Sequence, residues 1–380
     1  MVFDDTEFSP NPIEEARRRL AGSYIDLTSS NPTRQGLLFP PDILERAAGG
    51  YWASRRYDPH PRGLLPAREA IAAYYRERSP AWAVDPEAIF LTASTSEAYS
   101  LLFSLLAAPG DNLLGPNVTY PLFQYLAELH HIELRTYDLD PERGWQIDED
   151  SLLAAADSRT RGVLLVSPHN PTGAIIRRPS AALARLGLPL ICDEVFAPFT
   201  IGADSAPPLS ALHPGQPVFL LNGISKLLAL PDLKLGWIAL NQPALAAYAD
   251  RLELINDTFL SGNTLVQSML PALLGEGRPF VAEMVARVRD NVELALEALA
   301  GVGNLRLERP DGGYYLFPQV LGCDDDEQLV IDLLGRGVLV HPGFFYDYGD
   351  QCRIMLSCLT EPAAFRAGLA RLGAALADLP

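Results

Sequence analysis

The chain has 380 residues, of which 48% are hydrophobic and 20% are charged, a balance typical of folded globular proteins rather than disordered ones. A single hydrophobic core seldom grows to this length, so two domains are expected. The formal net charge is −17. Because a negative surface repels phosphate backbones and anionic membranes, nucleic acids and membrane surfaces are excluded as expected partners, whereas a small anion in a locally basic cleft is not.

The cysteines and the N-terminus carry no sign of metal binding or export. Cys192, Cys323, Cys352 and Cys358 form no Cys-x-x-Cys pair and no cluster with histidines at zinc spacing. We therefore expect reduced thiols and no metal site. The acidic first residues lack the apolar core of a signal peptide, and no apolar run is long enough to span a bilayer. Together these features predict a cytoplasmic protein.

The first two thirds of the chain alternate between strand and helix patterns. Residues 1–45 are rich in proline and predict irregular structure that packs against the C-terminal part of the chain. Predicted strands then follow at residues 88–92, 112–114, 132–137, 162–167, 188–192, 218–221 and 237–240. Several of these runs are apolar throughout, as strands are when helices cover both sheet faces. Helical patterns between them predict a largely parallel sheet.

The pattern changes after residue 300. Helical stretches at 242–257 and 264–300 are followed by short strands at 305–308, 314–317, 338–340 and 353–357 and by helices near 326–334 and 362–376. We expect an α/β domain over residues 46–279, with a mostly parallel mixed sheet flanked by helices, and a smaller α+β domain built from both termini, residues 1–45 and 280–380. The acidic run 324–326 is interpreted as a helix N-terminus rather than as a metal site.

Side chains suited to chemistry follow three consecutive predicted strands. Asn170 stands in an Asn-Pro-Thr-Gly turn after the fourth strand, Asp193 ends the fifth, and Ser225 and Lys226 follow the sixth. Taken singly, they have ordinary interpretations as a turn, a helix cap and a loop lysine. Their order is more specific, because α/β sheets bind ligands at the carboxyl ends of their strands.

This order of motifs resembles the class I and II aminotransferases of fold type I, the aspartate aminotransferase superfamily. The resemblance runs over nearly the whole chain and includes further pieces in the family's order: Tyr57, Gly63, residues 67–69, residues 109–111, Tyr120-Pro121, Pro342-Gly343 and Arg353. It implies pyridoxal 5'-phosphate as cofactor, an amino acid and a 2-oxo acid as substrates, and a homodimer as the active unit.

The resemblance also implies which residues react. Lys226 matches the lysine that holds the coenzyme aldehyde as an imine and, once freed, moves a proton between the substrate Cα and the coenzyme C4′. Asp193 matches the carboxylate that keeps the pyridine nitrogen protonated, so that the ring accepts electrons. Asn170 matches an amide that donates to the phenolic oxygen. Tyr120, counted with the catalytic residues, matches the aromatic residue stacked on the ring.

A phosphate site is implied by the same resemblance. Thr95 and Ser96 match phosphate binders at a helix N-terminus, where unpaired N–H groups and the helix dipole favour an anion. Ser225 and Lys234 match two further phosphate ligands. Tyr57 matches a tyrosine that reaches the phosphate from the neighbouring subunit, which is why the resemblance implies a shared site.

Substrate recognition is implied at three positions. Arg353 matches the arginine that forms a two-pronged pair with the substrate α-carboxylate, a geometry that suits a planar guanidinium. Asn170 is expected to contact the substrate as well, and Asn31 belongs to a segment that closes over it in relatives. Asn31, Tyr57 and Phe344, expected in the pocket, indicate no preferred side chain, so the sequence does not name the substrate.

Four positions depart from the family's common pattern. Phe196 stands where relatives often have a tyrosine that donates to the phenolic oxygen, and its lack of a hydroxyl predicts a raised imine pKa. Lys234 replaces an arginine and Gly223 a phosphate-binding serine, which together predict a weaker hold on the phosphate. His169 precedes Asn170 and is interpreted as a loop histidine with local hydrogen bonds, in preference to a proton-transfer group.

Three other functions are weighed against transamination. A β C–S lyase would use the same Lys226, Asp193 and Arg353, because one coenzyme scaffold supports many outcomes. It would release pyruvate and ammonia, whereas a transaminase leaves the pyridoxamine form of the coenzyme. Ligand-sensing domains of transcription regulators carry a helix-turn-helix segment, and the stretch before Asn31 is too short to hold one. A relative that binds no coenzyme would be under no pressure to retain Lys226.

Overall fold

The computed structural model describes residues 9–53, 55–202 and 205–378. The helices in these ranges separate the strands of a central sheet and then form a long C-terminal series. In chain order they are α1 Pro12–Arg19, α2 Pro41–Ala53, α3 Leu65–Arg76, α4 Thr95–Leu106, α5 Leu122–Leu129, α6 Glu149–Ala155, α7 Ala181–Leu186, α8 Leu209–Leu212, α9 Ile224–Leu227, α10 Gln242–Phe259, α11 Thr264–Glu276, α12 Arg278–Leu299, α13 Asp326–Gly335 and α14 Pro362–Ala377.

The central sheet confirms the expected mixed, mostly parallel architecture. Its strands are β1 Ile89–Thr92, β2 Asn112–Pro116, β3 Glu133–Tyr137, β4 Thr160–Val166, β5 Leu190–Asp193, β6 Val218–Gly223 and β7 Gly236–Leu240. They lie in the order β1-β7-β6-β5-β4-β2-β3. β7 runs antiparallel to both of its neighbours, and the other pairs are parallel. Each predicted strand is present, with ends that differ by a few residues.

Burial explains why these segments are strands. Every side chain of β5 and β6 is buried, as expected for apolar runs covered on both faces. Helices α4 and α10 pack against β6 and β7, and α3 packs against β1. The sheet is therefore rigid where its strands end, and side chains at that edge have little freedom to move.

Smaller sheets join the two ends of the chain. Ile25–Asp26 pairs in parallel with Val338–Leu339, Tyr315–Leu316 and His341–Pro342 flank Ile354–Ser357, and Leu305–Arg306 pairs with Gln319–Val320. Helix α1 packs on α13, and α12 packs on α14. A smaller α+β domain built from both termini is thus confirmed, while the limits at residues 45 and 280 stay a prediction.

Two helical features differ from the sequence-based expectation. The segment expected to be irregular contains α1, which begins after Asn11; the Asn11 side chain accepts a hydrogen bond from the Glu14 N–H at 2.8 Å. The predicted helical stretch 264–300 divides at Gly277. Pro279, in the first turn of α12, has no N–H to continue the preceding helix, so a new helix starts there.

The acidic run 324–326 lies at a helix start, as interpreted from the sequence. Asp325 precedes α13, and its carboxylate accepts a hydrogen bond from the Gln328 N–H at 2.9 Å.

Within the three described ranges, none of the helices combines the length and the apolar composition needed to cross a bilayer.

Candidate active site

The carboxyl ends of β4, β5 and β6 meet at one edge of the sheet. Val166 of β4 pairs in register with Asp193 of β5, and the Ser167 N–H donates to the Asp193 carbonyl oxygen at 3.0 Å. β5 in turn pairs with β6 in parallel. Asn170, Asp193 and Lys226 therefore leave three adjacent strands at the same edge, which is where the sequence predicted a ligand site.

Asp193 is a buried carboxylate with few partners. Its Oδ2 accepts a hydrogen bond from the Tyr99 hydroxyl at 2.8 Å, and its Oδ1 accepts one from the Val195 N–H at 2.9 Å. Burial raises the pKa of Asp193 to about 6, against the opposing effects of both hydrogen bonds and of the Lys226 charge. A carboxylate in this setting gains strongly from a cation placed against it.

Lys226 lies close enough to Asp193 for its charge to act on that carboxyl group. It is half-buried in the short helix α9 and forms no hydrogen bond or salt bridge with the residues that the structure describes. Lys226 and Lys234 are also the only lysines in the sequence, since all other basic side chains are arginine or histidine. The amine of Lys226 is thus free to react, in a protein with almost no competing amines.

The N-terminus of α4 faces the same strand ends. Ser94 caps the helix through a hydrogen bond from the Glu97 N–H to its Oγ at 3.1 Å, and Glu97 Oε2 accepts from the Ala93 N–H at 2.6 Å. A Cβ on Gly236 of β7 would lie 2.9 Å from the Thr95 nitrogen, so the helix start rests directly on the sheet. The first-turn N–H groups have no acceptor within the helix and can bind an anion.

The residues expected at a phosphate differ in their surroundings. Thr95, Ser96 and Ser225 are half-buried, and their hydroxyls form no hydrogen bond within the described part of the chain. Lys234 is exposed, with a φ of 51°, in the turn that leads into Gly236. The structure brings Thr95 against β7, and the assignment of all four residues to a phosphate stays a prediction.

Arg353 is held in a buried aromatic setting. Its guanidinium donates to the Phe317 carbonyl oxygen at 2.8 Å and to Gln351 Oε1 at 3.0 Å, and it lies 4.7 Å from the ring centre of Trp145. Its buried Nε has no partner among the described residues, and neither does the buried Oδ1 of Asn170. Buried polar atoms are rarely left unpaired, so both point to a polar ligand.

The remaining predicted residues form no hydrogen bond with Asp193 or Lys226 among the described residues. Tyr120 is about half exposed. It lies near Tyr346 and contributes to the raised pKa of the Tyr346 hydroxyl. Asn31 uses its side-chain oxygen locally, accepting hydrogen bonds from the Thr33 N–H and hydroxyl. Tyr57 is 76% exposed, and its proposed role at the phosphate stays a prediction.

Two residues near the pair were missed by the sequence analysis. Tyr99, the hydrogen-bond donor to Asp193, lies one helical turn after Thr95 on α4. That spacing puts both on one helix face and could have identified it. Tyr315 lies in a short strand outside the central sheet, yet the Lys226 charge acts on its hydroxyl. No motif marks Tyr315.

The departures from the family pattern also have a structural setting. Phe196 is buried, with its ring centre 4.8 Å from that of Tyr314. A Cβ on Gly223 would lie 2.8 Å from the Leu235 carbonyl oxygen, so a serine has no room there. His169 Nδ1 is 2.8 Å from Thr172 Oγ1, and burial lowers the pKa of His169 to about 4. The local hydrogen bond of Nδ1 agrees with the interpretation of His169 as a loop residue, but its buried Nε2 has no partner among the described residues.

These residues fit pyridoxal phosphate. The coenzyme has an aldehyde for a free amine, a ring nitrogen that becomes cationic opposite a buried carboxylate, and a phosphate for a helix N-terminus. Lys226, Asp193 and the start of α4 offer these three features at one sheet edge.

Comparison with known proteins agrees with this fit. The family model described as aminotransferase class I and II matches residues 23–372. Human tyrosine aminotransferase is 29% identical over 379 residues, which cover 94% of this chain and 80% of the relative. An S-alkyl-thiohydroximate lyase of Arabidopsis thaliana is 32% identical, over 63% of this chain and 54% of the relative.

Solved structures share the fold. An aminotransferase from Escherichia coli superposes with a TM-score of 0.86 at 24% identity, covering 97% of this chain and 95% of its own. The alanine aminotransferase of Pyrococcus furiosus has a TM-score of 0.87 at 22% identity, with the same coverage. At this identity the likeness concerns the fold.

The first prediction concerns the pH dependence of stability. Since the folded-state pKa of Asp193 is raised to about 6, its ionisation destabilises the ligand-free fold, with no penalty below about pH 4 and the full penalty above about pH 6. Asp193→Asn should therefore stabilise the ligand-free protein by up to about 3 kcal/mol at pH 7.5. In urea unfolding measured from pH 4 to 8, the difference in the free energy of unfolding between Asp193→Asn and the unaltered protein should grow as the pH rises.

Asp290→Asn is a matched control for that measurement, because Asp290 is an exposed carboxylate on α12. If Asp193→Asn gave the same stability change at pH 4 and at pH 7.5, the account of Asp193 as a strained buried anion would be wrong.

The second prediction concerns the glycine that replaces the expected serine. Gly223→Ser should destabilise the protein by about 1–3 kcal/mol, because the added atoms meet the Leu235 carbonyl oxygen. It should not improve retention of the coenzyme on dialysis. Gly215→Ser is the control, since a Cβ there has open space. Tighter retention with unchanged thermal stability would contradict this reading of Gly223.

Proposed function

We propose that this chain, which belongs to the class I and II aminotransferases and is a pyridoxal phosphate-dependent transaminase, carries its coenzyme on Lys226. Transaminases move an amino group between an amino acid and a 2-oxo acid. The proposal depends on one observation: a free, half-buried amine lies beside a buried carboxylate at the carboxyl edge of the sheet. Asp193 and Lys226 together form the reacting centre in this proposal.

Each side chain at this edge has a separate task in the proposed reaction. When bound, the coenzyme supplies an aldehyde carbon and an electron-withdrawing ring. Asp193, oriented by Tyr99, holds the ring nitrogen in its cationic form. Lys226 takes a proton from the substrate Cα and returns it on the coenzyme side. The amide of Asn170 donates to the phenolic oxygen, and Tyr120 lies over the ring and limits its tilt.

Phosphate binding is proposed at the start of α4. The N–H groups of Thr95 and Ser96 and the hydroxyls of the same two residues have no competing partner among the described residues. Ser225 adds a hydroxyl from the segment that carries Lys226. Lys234 would add a charge by reaching over from its exposed turn.

Arg353 is proposed to bind the substrate α-carboxylate. Its Nε has no partner among the described residues, and the Phe317 carbonyl and Gln351 hold the rest of the guanidinium in place. Buried charge-assisted pairs of this kind fix the orientation of the substrate as well as its affinity. Asn170 and Asn31 would contact the substrate beside it.

An aromatic amino acid is the proposed amino donor. The human relative is a tyrosine aminotransferase. In this chain, Tyr120 and Tyr315 both act electrostatically on Tyr346, so three tyrosines lie near one another. Flat aromatic surfaces of this kind pack well against an aromatic side chain.

A homodimer in the cytoplasm is the proposed working form. Tyr57 is highly exposed in the single chain, as a residue that serves the neighbouring subunit would be. Its hydroxyl is proposed to reach the phosphate of that subunit. Shared sites of this type make activity depend on dimer formation.

A β C–S lyase is the second candidate function. The observation in its favour is the 32% identity to a plant S-alkyl-thiohydroximate lyase, which exceeds the identity to human tyrosine aminotransferase over a shorter span. Lys226, Asp193 and Arg353 would serve that reaction equally well, so the products decide between the two.

The third prediction tests the site of the coenzyme. Borohydride reduction of the holoprotein followed by peptide mapping should place the coenzyme on Lys226. Lys226→Ala should abolish the trapped adduct and lower kcat by at least about 10³-fold, because no other amine lies at the reacting centre. Lys234→Arg is the matched control, since it alters the other lysine of the chain and keeps its charge. An adduct retained in Lys226→Ala would refute the assignment.

The fourth prediction tests the reaction and its donor. With tyrosine or phenylalanine alone, the holoprotein should pass to the pyridoxamine form, followed by its absorbance, and 2-oxoglutarate should restore the original spectrum. Arg353→Lys should raise KM for these donors by about 10-fold or more, because a lysine cannot form the two-pronged pair. Release of pyruvate and ammonia from a cysteine S-conjugate, without the spectral change, would favour the lyase.

A further inference from the structure

The position that most often carries a phenolic hydroxyl in this family carries none here. Phe196 follows Asp193 by one turn and is buried against two tyrosines, Tyr314 at 4.8 Å and Tyr315 at 5.8 Å between ring centres. Both contacts are edge-on, at 86° and 79°. The residues next to the missing hydroxyl are thus themselves phenols, contributed by another part of the chain.

Tyr315 reaches this place from the small domain. It lies in the strand Tyr315–Leu316, which pairs with Ile354–Ser357, directly after Arg353. Its partner in register is Ser357, and both side chains are buried. The strand that begins directly after the candidate carboxylate-binding arginine therefore also fixes the position of Tyr315.

The charge of Lys226 reaches the hydroxyl of Tyr315, whose ring packs against Phe196. Burial raises the pKa of Tyr315, while the charge of Lys226 and the hydroxyl of Ser30 act in the opposite direction. The other titratable groups that act on it are Tyr314, which packs against it at 4.7 Å, and Tyr346. Lys226 is not among the groups that shift the pKa of Tyr314, although the hydroxyls of Tyr314 and Tyr315 interact with each other.

We propose that Tyr315 supplies, from the small domain, the phenolic hydroxyl that Phe196 lacks, and that this hydroxyl serves the coenzyme oxygen next to Lys226. The inference rests on Lys226 as the coenzyme-bearing residue. It reverses one expectation from the sequence, the raised imine pKa. The imine should titrate as in relatives with the usual tyrosine, because a hydroxyl on a different strand donates in its place. Tyr315 would also make this donor dependent on how the small domain packs.

The fifth prediction uses the visible absorption of the holoprotein, titrated with pH. A hydroxyl that donates to the coenzyme oxygen stabilises its negative charge, so its removal should favour the protonated form. Tyr315→Phe should raise the pH midpoint by about one unit, a tenfold change in proton affinity. Tyr314→Phe is the matched control, because Tyr314 is a neighbouring buried tyrosine that packs against the same Phe196 ring. It should shift the midpoint by less than about 0.2 units.

A second variant keeps the test decisive if Tyr315→Phe folds poorly. In the otherwise unchanged protein, Phe196→Tyr should alter the midpoint little, since a donor is already in place. In the Tyr315→Phe background, Phe196→Tyr should restore the original midpoint. A large downward shift from Phe196→Tyr alone would overturn the proposal, as would equal shifts in Tyr314→Phe and Tyr315→Phe, which would indicate a packing effect.

The outcomes separate this proposal from the proposed function. An unshifted midpoint in Tyr315→Phe, with the coenzyme still mapped to Lys226 by borohydride reduction, would refute the role of Tyr315 and leave the site intact. Failure of the unaltered protein to link the coenzyme at Lys226 would instead refute the site on which the inference rests.

Discussion

One buried carboxylate governs the rest of the site. Asp193 ends a strand in the middle of the sheet, where burial disfavours its charge and two hydrogen bonds only partly offset this. A cationic ring nitrogen placed against it would remove that penalty, because opposite charges attract strongly where water is excluded. The same desolvation that destabilises the protein alone would therefore strengthen binding of the coenzyme at Asp193, as proposed.

The sheet supplies the precision that this pairing needs. Parallel strands end at one edge, so the segments after β4, β5 and β6 converge without any long loop. Close backbone contacts at Gly223 and Gly236 bring β6, β7 and the start of α4 together. Neither glycine has a positive φ, so backbone conformation does not require glycine at these positions. Glycine is required because a Cβ would collide with neighbouring backbone atoms. The amine, the carboxylate and the anion-binding helix start are thereby held by rigid elements.

The small domain would contribute Arg353 and Tyr315 to the proposed site. The strand of Tyr315 pairs with Ile354–Ser357, which begins directly after Arg353, and the Ser357 N–H donates to the carbonyl oxygen of Leu27 in the N-terminal segment at 2.7 Å. Substrate binding by Arg353 and donation by Tyr315 would therefore respond together to any movement of this domain relative to the central sheet. A transaminase binds and releases two different substrates in each cycle, so such coupling would link substrate binding to the protonation of the coenzyme.

The sequence by itself determined the strand order of motifs, the mixed sheet and the candidate residues Asn170, Asp193 and Lys226, because strand ends and short motifs are local signals that parallel packing converts into one site. It missed α1, although Asn11 and Pro12 mark its start. Only the tertiary structure decided which residues surround the pair. Tyr315 comes near Lys226 across 89 positions of chain, and the lack of room at Gly223 depends on the Leu235 carbonyl. Contacts of this kind are set by how strands and domains pack, and no local pattern encodes them.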